Sequence, residues 1–135
     1  MGTSFQNLQR PLYTMQSPMN VVGALIFIIG LVITVNAQMT LKRNYSSMLR
    51  IREGHQLITH GIYKYVRHPV YTGTLLRTFA IPIYTTSLLG FLFALVGIPL
   101  VIYRIGVEEQ MLIEEFSDEY LEYTKATRKL VPYVY

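Results

Sequence analysis

The sequence predicts an all-α integral membrane protein with a single domain over residues 1–135. Of the 135 residues, 51% are hydrophobic and only 15% are charged, whereas soluble domains carry roughly 25% charged residues. The apolar residues are grouped into long runs, and most charged residues stand between and after those runs. Such grouping is typical of a chain that crosses a bilayer more than once.

Two apolar regions predict three transmembrane helices. The first region gives a span over residues 19–38, because about 20 apolar residues cross the core of a bilayer. The second region covers residues 70–107 and is long enough for two short spans, at 70–85 and 87–107.

The junction between the last two spans is polar but uncharged. Residues 84–87 read "YTTS", which predicts a tight helical hairpin. Pro82 and Pro99 fall inside the two helices, where each removes a backbone donor. After the hairpin, apolar and acidic residues alternate with helical period over residues 108–128, so we expect a C-terminal amphipathic helix that continues the third span.

The basic residues predict the orientation in the membrane. They cluster between the first span and the hairpin, and again after the hairpin, at Lys42, Arg43, Arg50, Arg52, Lys64, Arg67, Arg104, Lys125, Arg128 and Lys129. The positive-inside rule therefore places residues 42–67 and the C-terminus in the cytoplasm and the N-terminus outside. Because the net charge of +4 lies beside apolar runs, it favours membrane lipid as a partner, with no nucleic acid. The absence of cysteine excludes disulfides and thiol catalysis.

The densest polar and aromatic chemistry lies in residues 61–73, "GIYKYVRHPVYTG". Pro69 disfavours helical geometry at His68, so a helix is expected to begin at this pair. The free N–H groups at such a start favour an anionic ligand group. Gly73 leaves room for another helix or a ligand. Residues 53–73, here called the lid segment, are predicted to cover an apolar pocket between the helices.

A second group of ionisable residues is expected on the same side of the membrane. Arg104 and Glu108 are four residues apart and share one helical face. Ionisable residues at helix mouths in a membrane protein indicate a functional site. An apolar floor under a polar lid suits a substrate with a lipophilic tail and a reactive polar head, and Tyr63 and Tyr71 are placed to stack on a planar heterocycle.

Several of these residues also have a purely structural interpretation. Tyr63 and Tyr65 suit an interfacial aromatic belt, and Lys64 and Arg67 suit topology signals. Arg77, about two turns into the second span, either extends towards the interface or offers a cation to an anionic head group. We expect solvated side chains at Glu109, Glu114 and Glu115. The spacing of the three histidines matches no standard ligand pattern, so no metal site is predicted.

The motifs in combination resemble the isoprenylcysteine carboxyl methyltransferase family, within the wider phospholipid methyltransferase-like superfamily. The resemblance rests on "HQLITHGIYKYVRHPVYTG", followed by "RIGVEEQML" and "FSDEYLEY". These runs carry the family's Arg-His-Pro-x-Tyr-x-Gly, Arg-x-x-x-Glu-Glu and Phe-x-x-x-Tyr-x-x-Tyr patterns. The match covers residues 44–132 and implies an integral membrane enzyme that uses S-adenosylmethionine.

The resemblance also implies roles for individual residues. Arg104 matches the family's arginine at the substrate carboxylate and is the expected catalytic residue, with Arg77 as a second substrate contact. The cofactor-binding positions are His55, Gln56, Leu57, Ile58, Tyr63, His68, Pro69, Val70, Tyr71 and Glu108. Two positions depart from the family pattern: Ser117 stands where a glycine is usual, and Arg77 where an apolar or aromatic residue is expected.

The expected reaction is methyl transfer to the carboxylate of a prenylated or acylated, isoprenylcysteine-like substrate at the cytoplasmic membrane face. A carboxylate is already ionised at pH 7 and needs no general base. The alternatives are N- or S-methylation of a phospholipid headgroup or small thiol, where the nucleophile must lose a proton, and a non-catalytic membrane scaffold. The size of the chain favours a prokaryotic cell membrane over the endoplasmic reticulum, and a homo-oligomer is compatible with the short N-terminal region.

Overall fold

The computed structural model describes residues 17–41 and 56–135, and the helices there follow the apolar pattern of the sequence. They are α1 (Pro18–Leu41), a short 3₁₀ helix (Gly61–Lys64), α2 (Pro69–Thr85), α3 (Leu88–Phe116) and α4 (Asp118–Ala126). The predicted all-α class is confirmed.

The α1–α2 contact is built on small residues. The buried residues of α1 are Gly23, Gly30, Thr34 and Ala37. A Cβ added to Gly73 would lie 2.5 Å from the carbonyl oxygen of Gly30, and one added to Gly30 would lie 2.8 Å from the carbonyl oxygen of Gly73. The two backbones therefore touch, as small residues allow in membrane helices. The room predicted at Gly73 is filled by α1.

A two-residue turn joins α2 to α3. Thr86 adopts a left-handed conformation with φ 50°, and the Ser87 hydroxyl accepts a hydrogen bond from the Gly90 amide at 3.1 Å, which caps α3. This turn falls within the predicted hairpin at residues 84–87. Pro82 and Pro99 lie inside the helices, as expected.

Two of the described helices, α1 and α3, are long and apolar enough to cross a membrane. The mean hydropathy of their most apolar stretches is 2.3 and 2.2. α2 has 17 residues and carries Arg77. The count of three spans stays a prediction.

The C-terminal region is divided differently from the predicted helix over residues 108–128. α3 continues without interruption to Phe116, because no helix-breaking residue stands between residues 107 and 116. The helix then breaks at Ser117, where φ is 48° and ψ is −122°, and α4 begins at Asp118. After α4, residues 127–135 form a tail that runs beside the lid segment, with a parallel bridge between Val66 and Arg128.

Candidate functional site

The His68-Pro69 pair begins α2, as the sequence predicts. Pro69 is the first helical residue, and the side chain of the N-cap residue His68 makes no capping hydrogen bond. The helix is expected to leave its first-turn amides, those of Val70 and Tyr71, without intrahelical acceptors. These amides remain donors for an acceptor brought to this end of the helix.

Tyr71 links the start of α2 to the polar end of α3. Arg104 Nε donates a hydrogen bond to the Tyr71 hydroxyl at 2.8 Å. The Glu108 carboxylate, one turn further along α3, interacts electrostatically with the same hydroxyl. The predicted Arg104–Glu108 face is therefore turned towards the start of α2.

One oxygen of Glu108 is available for a ligand. Glu108 Oε2 is buried and has no hydrogen-bond partner among the described residues. A buried polar atom without a partner costs free energy, on the order of 1–3 kcal/mol. A hydroxyl or ammonium group of a bound molecule would satisfy this oxygen, so the residues present fit a cofactor that carries such groups.

Glu109 is not solvated, and that expectation is wrong. Its side chain is 14% exposed, and Oε1 accepts a hydrogen bond from Arg67 Nε at 2.8 Å. Arg67 is 8% exposed, so it does more than signal topology. Successive helical residues are rotated by about 100°, which directs Glu108 and Glu109 to different neighbours. By contrast, Glu114 and Glu115 are exposed, as expected.

In the N-terminal part of the lid segment, the structure describes the residues from Gln56 onwards. His55 lies outside the described residues. Gln56, Leu57 and Ile58 form an irregular stretch in which Gln56 is exposed and the other two are half-buried. Their assignment to the cofactor stays a prediction.

Tyr63 is buried in the 3₁₀ helix, and Tyr65 is exposed. The Tyr123 hydroxyl of α4 donates to the Tyr63 carbonyl oxygen at 2.6 Å. α4 thus contacts the lid segment. Burial raises the pKa of Tyr123 well above its usual value, with Arg67 opposing the shift. The phenol therefore stays a hydrogen-bond donor at physiological pH.

The structure separates Arg77 from Arg104. Tyr71 faces α3, whereas the Arg77 side chain lies against α1, its Cγ 3.0 Å from the position of a Cβ on Gly30. Arg77 Nε donates to the Gly73 carbonyl oxygen at 3.3 Å. The guanidinium thus turns back towards the end of α2 that begins at Pro69.

The arrangement combines three chemical features at one end of the α2–α3 pair. They are a helix start with free donors, an exposed guanidinium held by a tyrosine, and a carboxylate with one unsatisfied oxygen. Together these features can hold a molecule that carries both hydroxyl or ammonium groups and an anionic group. The apolar part of α3 begins directly beside them, so a ligand with a lipophilic tail finds an apolar surface next to the polar end.

The proteins and the family that this chain resembles are all methyltransferases among the matches described here. The profile of the family described as phospholipid methyltransferase matches residues 18–119. Protein-S-isoprenylcysteine O-methyltransferase A of Arabidopsis thaliana is 32% identical over 115 residues, which cover 83% of this chain and 58% of the relative. Methanethiol S-methyltransferase 1 of Bradyrhizobium diazoefficiens is 39% identical over 72 residues, or 53% of this chain and 25% of that protein.

A solved structure agrees with these matches. The eukaryotic intramembrane Ras methyltransferase, an isoprenylcysteine carboxyl methyltransferase, superposes with a TM-score of 0.80 and 26% identity, over 86% of this chain and 43% of that one. The chain therefore spans between a quarter and three fifths of the length of these relatives. The resemblance seen in the sequence motifs is confirmed, and the chain belongs to the phospholipid methyltransferase family.

Proposed function

We propose that this chain is an S-adenosylmethionine-dependent methyltransferase that acts on the carboxylate of a lipophilic, isoprenylcysteine-like substrate. The observation that carries the proposal is the placement of Arg104, Tyr71 and the unsatisfied Glu108 oxygen beside the uncapped start of α2. The relatives named as isoprenylcysteine methyltransferases support the same chemistry.

Glu108 and the start of α2 would hold the cofactor. When bound, S-adenosylmethionine supplies an electrophilic methyl group on a positively charged sulfur. Glu108 Oε2 is suited to accept from its hydroxyl or ammonium groups, and the amides of Val70 and Tyr71 to donate to its carboxylate. The remaining cofactor contacts are assigned to His55, Gln56, Leu57, Ile58, Tyr63, His68 and Pro69.

Arg104 would hold the substrate carboxylate. Arg104 Nε donates to the Tyr71 hydroxyl, and this hydrogen bond helps to orient the guanidinium towards the carboxylate. Because that carboxylate is ionised at pH 7, no residue has to remove a proton. The chain contributes orientation to within about 3–3.5 Å of the transferred group and exclusion of water.

The substrate tail would lie against the apolar surface of α3. The residues there are exposed in the isolated chain, with Phe93, Val96 and Leu100 between 62% and 70% accessible. Arg77 is assigned to an anionic part of the substrate or of a neighbouring lipid, since it turns back towards the site end of α2. We further propose that the chain crosses a prokaryotic cell membrane three times and that the site faces the cytoplasm.

A second candidate is S-methylation of a small thiol. It is favoured by the 39% identity to the methanethiol relative, over about half of this chain. A thiol titrates near 8.5 and must lose its proton before it attacks. The two candidates therefore differ in pH dependence: carboxylate methylation should be flat around neutrality, and thiol methylation should rise with pH.

The test is radiolabelled methyl transfer to a panel of farnesylcysteine analogues, fatty acids, phosphatidylethanolamine and small thiols. Arg104→Ala should lower turnover on the carboxylate substrate by about 100-fold or more, yet change the Kd for S-adenosylmethionine by less than about threefold. Glu108→Gln should instead weaken cofactor binding by about tenfold, measured by calorimetry.

Lys125→Ala and Glu114→Gln are the matched controls, because both side chains are exposed and lie away from the site. Near-normal turnover in Arg104→Ala would remove that residue from the mechanism. An unchanged Kd in Glu108→Gln would remove Glu108 from the cofactor site. A wild-type protein that binds no S-adenosylmethionine would leave only the scaffold interpretation.

A further inference from the structure

The proposed reaction does not use Glu109, yet this carboxylate has more partners than Glu108. Oε1 accepts from Arg67 Nε at 2.8 Å, lies 3.2 Å from His68 Nε2, and accepts from the Tyr120 hydroxyl at 3.4 Å. Oε2 lies 3.4 Å from Lys129 Nζ. We call these five residues the Glu109 cluster. They bring together the lid segment, α3, α4 and the tail.

The Glu109 cluster is largely shielded from solvent. The side chains of Arg67, His68 and Glu109 are 8%, 4% and 14% exposed. Removing one partner of a buried ion pair leaves an uncompensated charge, which destabilises far more than the loss of an exposed pair. A neutral residue at Glu109 would leave the Arg67 guanidinium buried without its carboxylate.

Arg67 extends the cluster to the end of α4. Its Nη1 donates to the carbonyl oxygens of Thr124 and Thr127 at 3.2 and 2.8 Å. The Thr127 hydroxyl, at 3.3 Å from Nη1, is a further acceptor. Four acceptors therefore surround this guanidinium, and among them only the Glu109 carboxylate is negatively charged. The position of Arg67 depends on that carboxylate.

The same region is crossed by backbone hydrogen bonds between the lid segment and the tail. The amides of Arg67 and His68 donate to the carbonyl oxygens of Arg128 and Lys129 at 2.7 and 3.0 Å. The Thr72 hydroxyl donates to the carbonyl oxygen of Leu130 at 2.8 Å. The tail is thus attached on both sides of Pro69, where α2 begins.

We propose that Glu109 is a positioning residue that holds the tail and the lid segment against the start of α2. Through His68 it determines where the first-turn amides of α2 and the Tyr71 hydroxyl lie. The two neighbouring glutamates of α3 then have separate roles: Glu108 contacts the ligand, and Glu109 holds the segments around the start of α2 in place. The effect on the cofactor rests on the proposed function, whereas the effect on the tail does not.

The experiment compares Glu109→Gln with Glu115→Gln, the same substitution at an exposed position of the same helix. Two measurements are made on the full chain in detergent. One is amide hydrogen exchange at Arg67, His68 and Arg128, the last of which donates to the Tyr65 carbonyl oxygen at 3.3 Å. The other is steady-state methyl transfer as a function of S-adenosylmethionine concentration.

Glu109→Gln should speed exchange at those amides by about tenfold or more, because their hydrogen bonds open more often. It should raise the KM for S-adenosylmethionine by about tenfold, with kcat at saturation within about threefold of wild type. Glu115→Gln should leave both measurements within about twofold. A purely structural role would lower the active fraction without raising KM.

Lys129→Gln keeps the test decisive if Glu109→Gln does not fold. Lys129 is 33% exposed and contacts only Oε2 within the cluster, so its loss should give a change in the same direction of about threefold. Unchanged exchange in the folded variant, or a fall in kcat at constant KM, overturns the proposal. If wild type binds no S-adenosylmethionine, the proposed function fails, and the exchange comparison alone decides whether Glu109 holds the tail.

Discussion

α1 and α2 are in contact through closely packed backbone, whereas the Glu109 cluster is held together by oppositely charged and polar side chains. At the first place Gly30 and Gly73 leave no space for even a Cβ. At the second place Arg67, Glu109 and Tyr120 fill the space with long polar side chains, and Tyr120 is 1% exposed. Both contacts involve α2 or the residues directly before it.

The difference follows from what surrounds each contact. Lipid is as apolar as a helix face, so two helices gain little from burying large apolar side chains and pack by close approach. At the polar end, side chains leave water when they meet, and each has to regain its hydrogen bonds from the protein. One contact should therefore be sensitive to volume, and the other to charge and protonation.

The largest expected effect is on the volume-sensitive contact. Gly73→Leu would force α1 and α2 apart, because its Cβ alone would lie 2.5 Å from the Gly30 carbonyl oxygen. We expect a loss of more than about 3 kcal/mol, beyond ordinary overpacking, with little folded protein recovered. Gly97→Leu is the control, since a Cβ at that position meets no atom of the described residues within 4 Å beyond its chain neighbours and its own helix backbone. Thermal unfolding in detergent measures both; equal melting of the two variants would contradict the α1–α2 contact.

An intermediate effect on the stability of the folded protein is expected from the charge-sensitive contact at high pH. Burial, reinforced by the negative charge of Glu109, raises the pKa of Tyr120 well above its usual value. The folded protein therefore holds this proton more tightly than the unfolded chain. The resulting stability is present below the unfolded pKa of about 10 and is lost as pH rises above it.

Tyr120→Phe tests whether this hydroxyl causes the alkaline loss of stability. It removes a hydroxyl that bonds Glu109, at a cost of about 1 kcal/mol at pH 7, and it should make the alkaline loss of stability shallower. Chemical denaturation between pH 7 and 11 gives the slope. Tyr133→Phe, at an exposed position, should reproduce the wild-type slope. A Tyr120→Phe slope as steep as wild type would place the alkaline transition elsewhere.

The smallest expected effect is a gain at the break between α3 and α4. Ser117 has φ 48° and ψ −122°, and its side chain makes no capping hydrogen bond. This conformation is strained for a residue with a Cβ and is open to glycine. Ser117→Gly should therefore stabilise the protein by about 0.5–1 kcal/mol, whereas Ser117→Ala should not. A rise in melting temperature for the alanine variant as well would show that backbone strain is not the cause.

Much of the fold was predictable because local chemistry decides it. Pro69 sets the start of α2, "YTTS" lies at the hairpin turn, and Gly73 marks the close helix contact. The break at Ser117 was not predicted, because residues 108–128 have a continuous helical period. The signal for it was the family's glycine at the position of Ser117, since glycine commonly ends helices. The continuation of α3 to Phe116 agrees with the prediction that the C-terminal helix continues the third span.

Within the site, the sequence determined which residue types meet at the polar end. The four-residue spacing predicted that Arg104 and Glu108 share one helical face. The predicted hairpin between the two motifs placed that face on the same side of the membrane as the His68-Pro69 pair. The tertiary structure decided how the two adjacent glutamates divide their partners. Glu109 looks like a solvated residue in the sequence, and its burial depends on Arg67 and Lys129, which are 42 and 20 residues away. The local sequence shows helical periodicity and backbone preference. Whether a carboxylate such as that of Glu109 is buried and paired depends on the cost of desolvation and the gain from charge pairing, and both arise only when distant segments fold together.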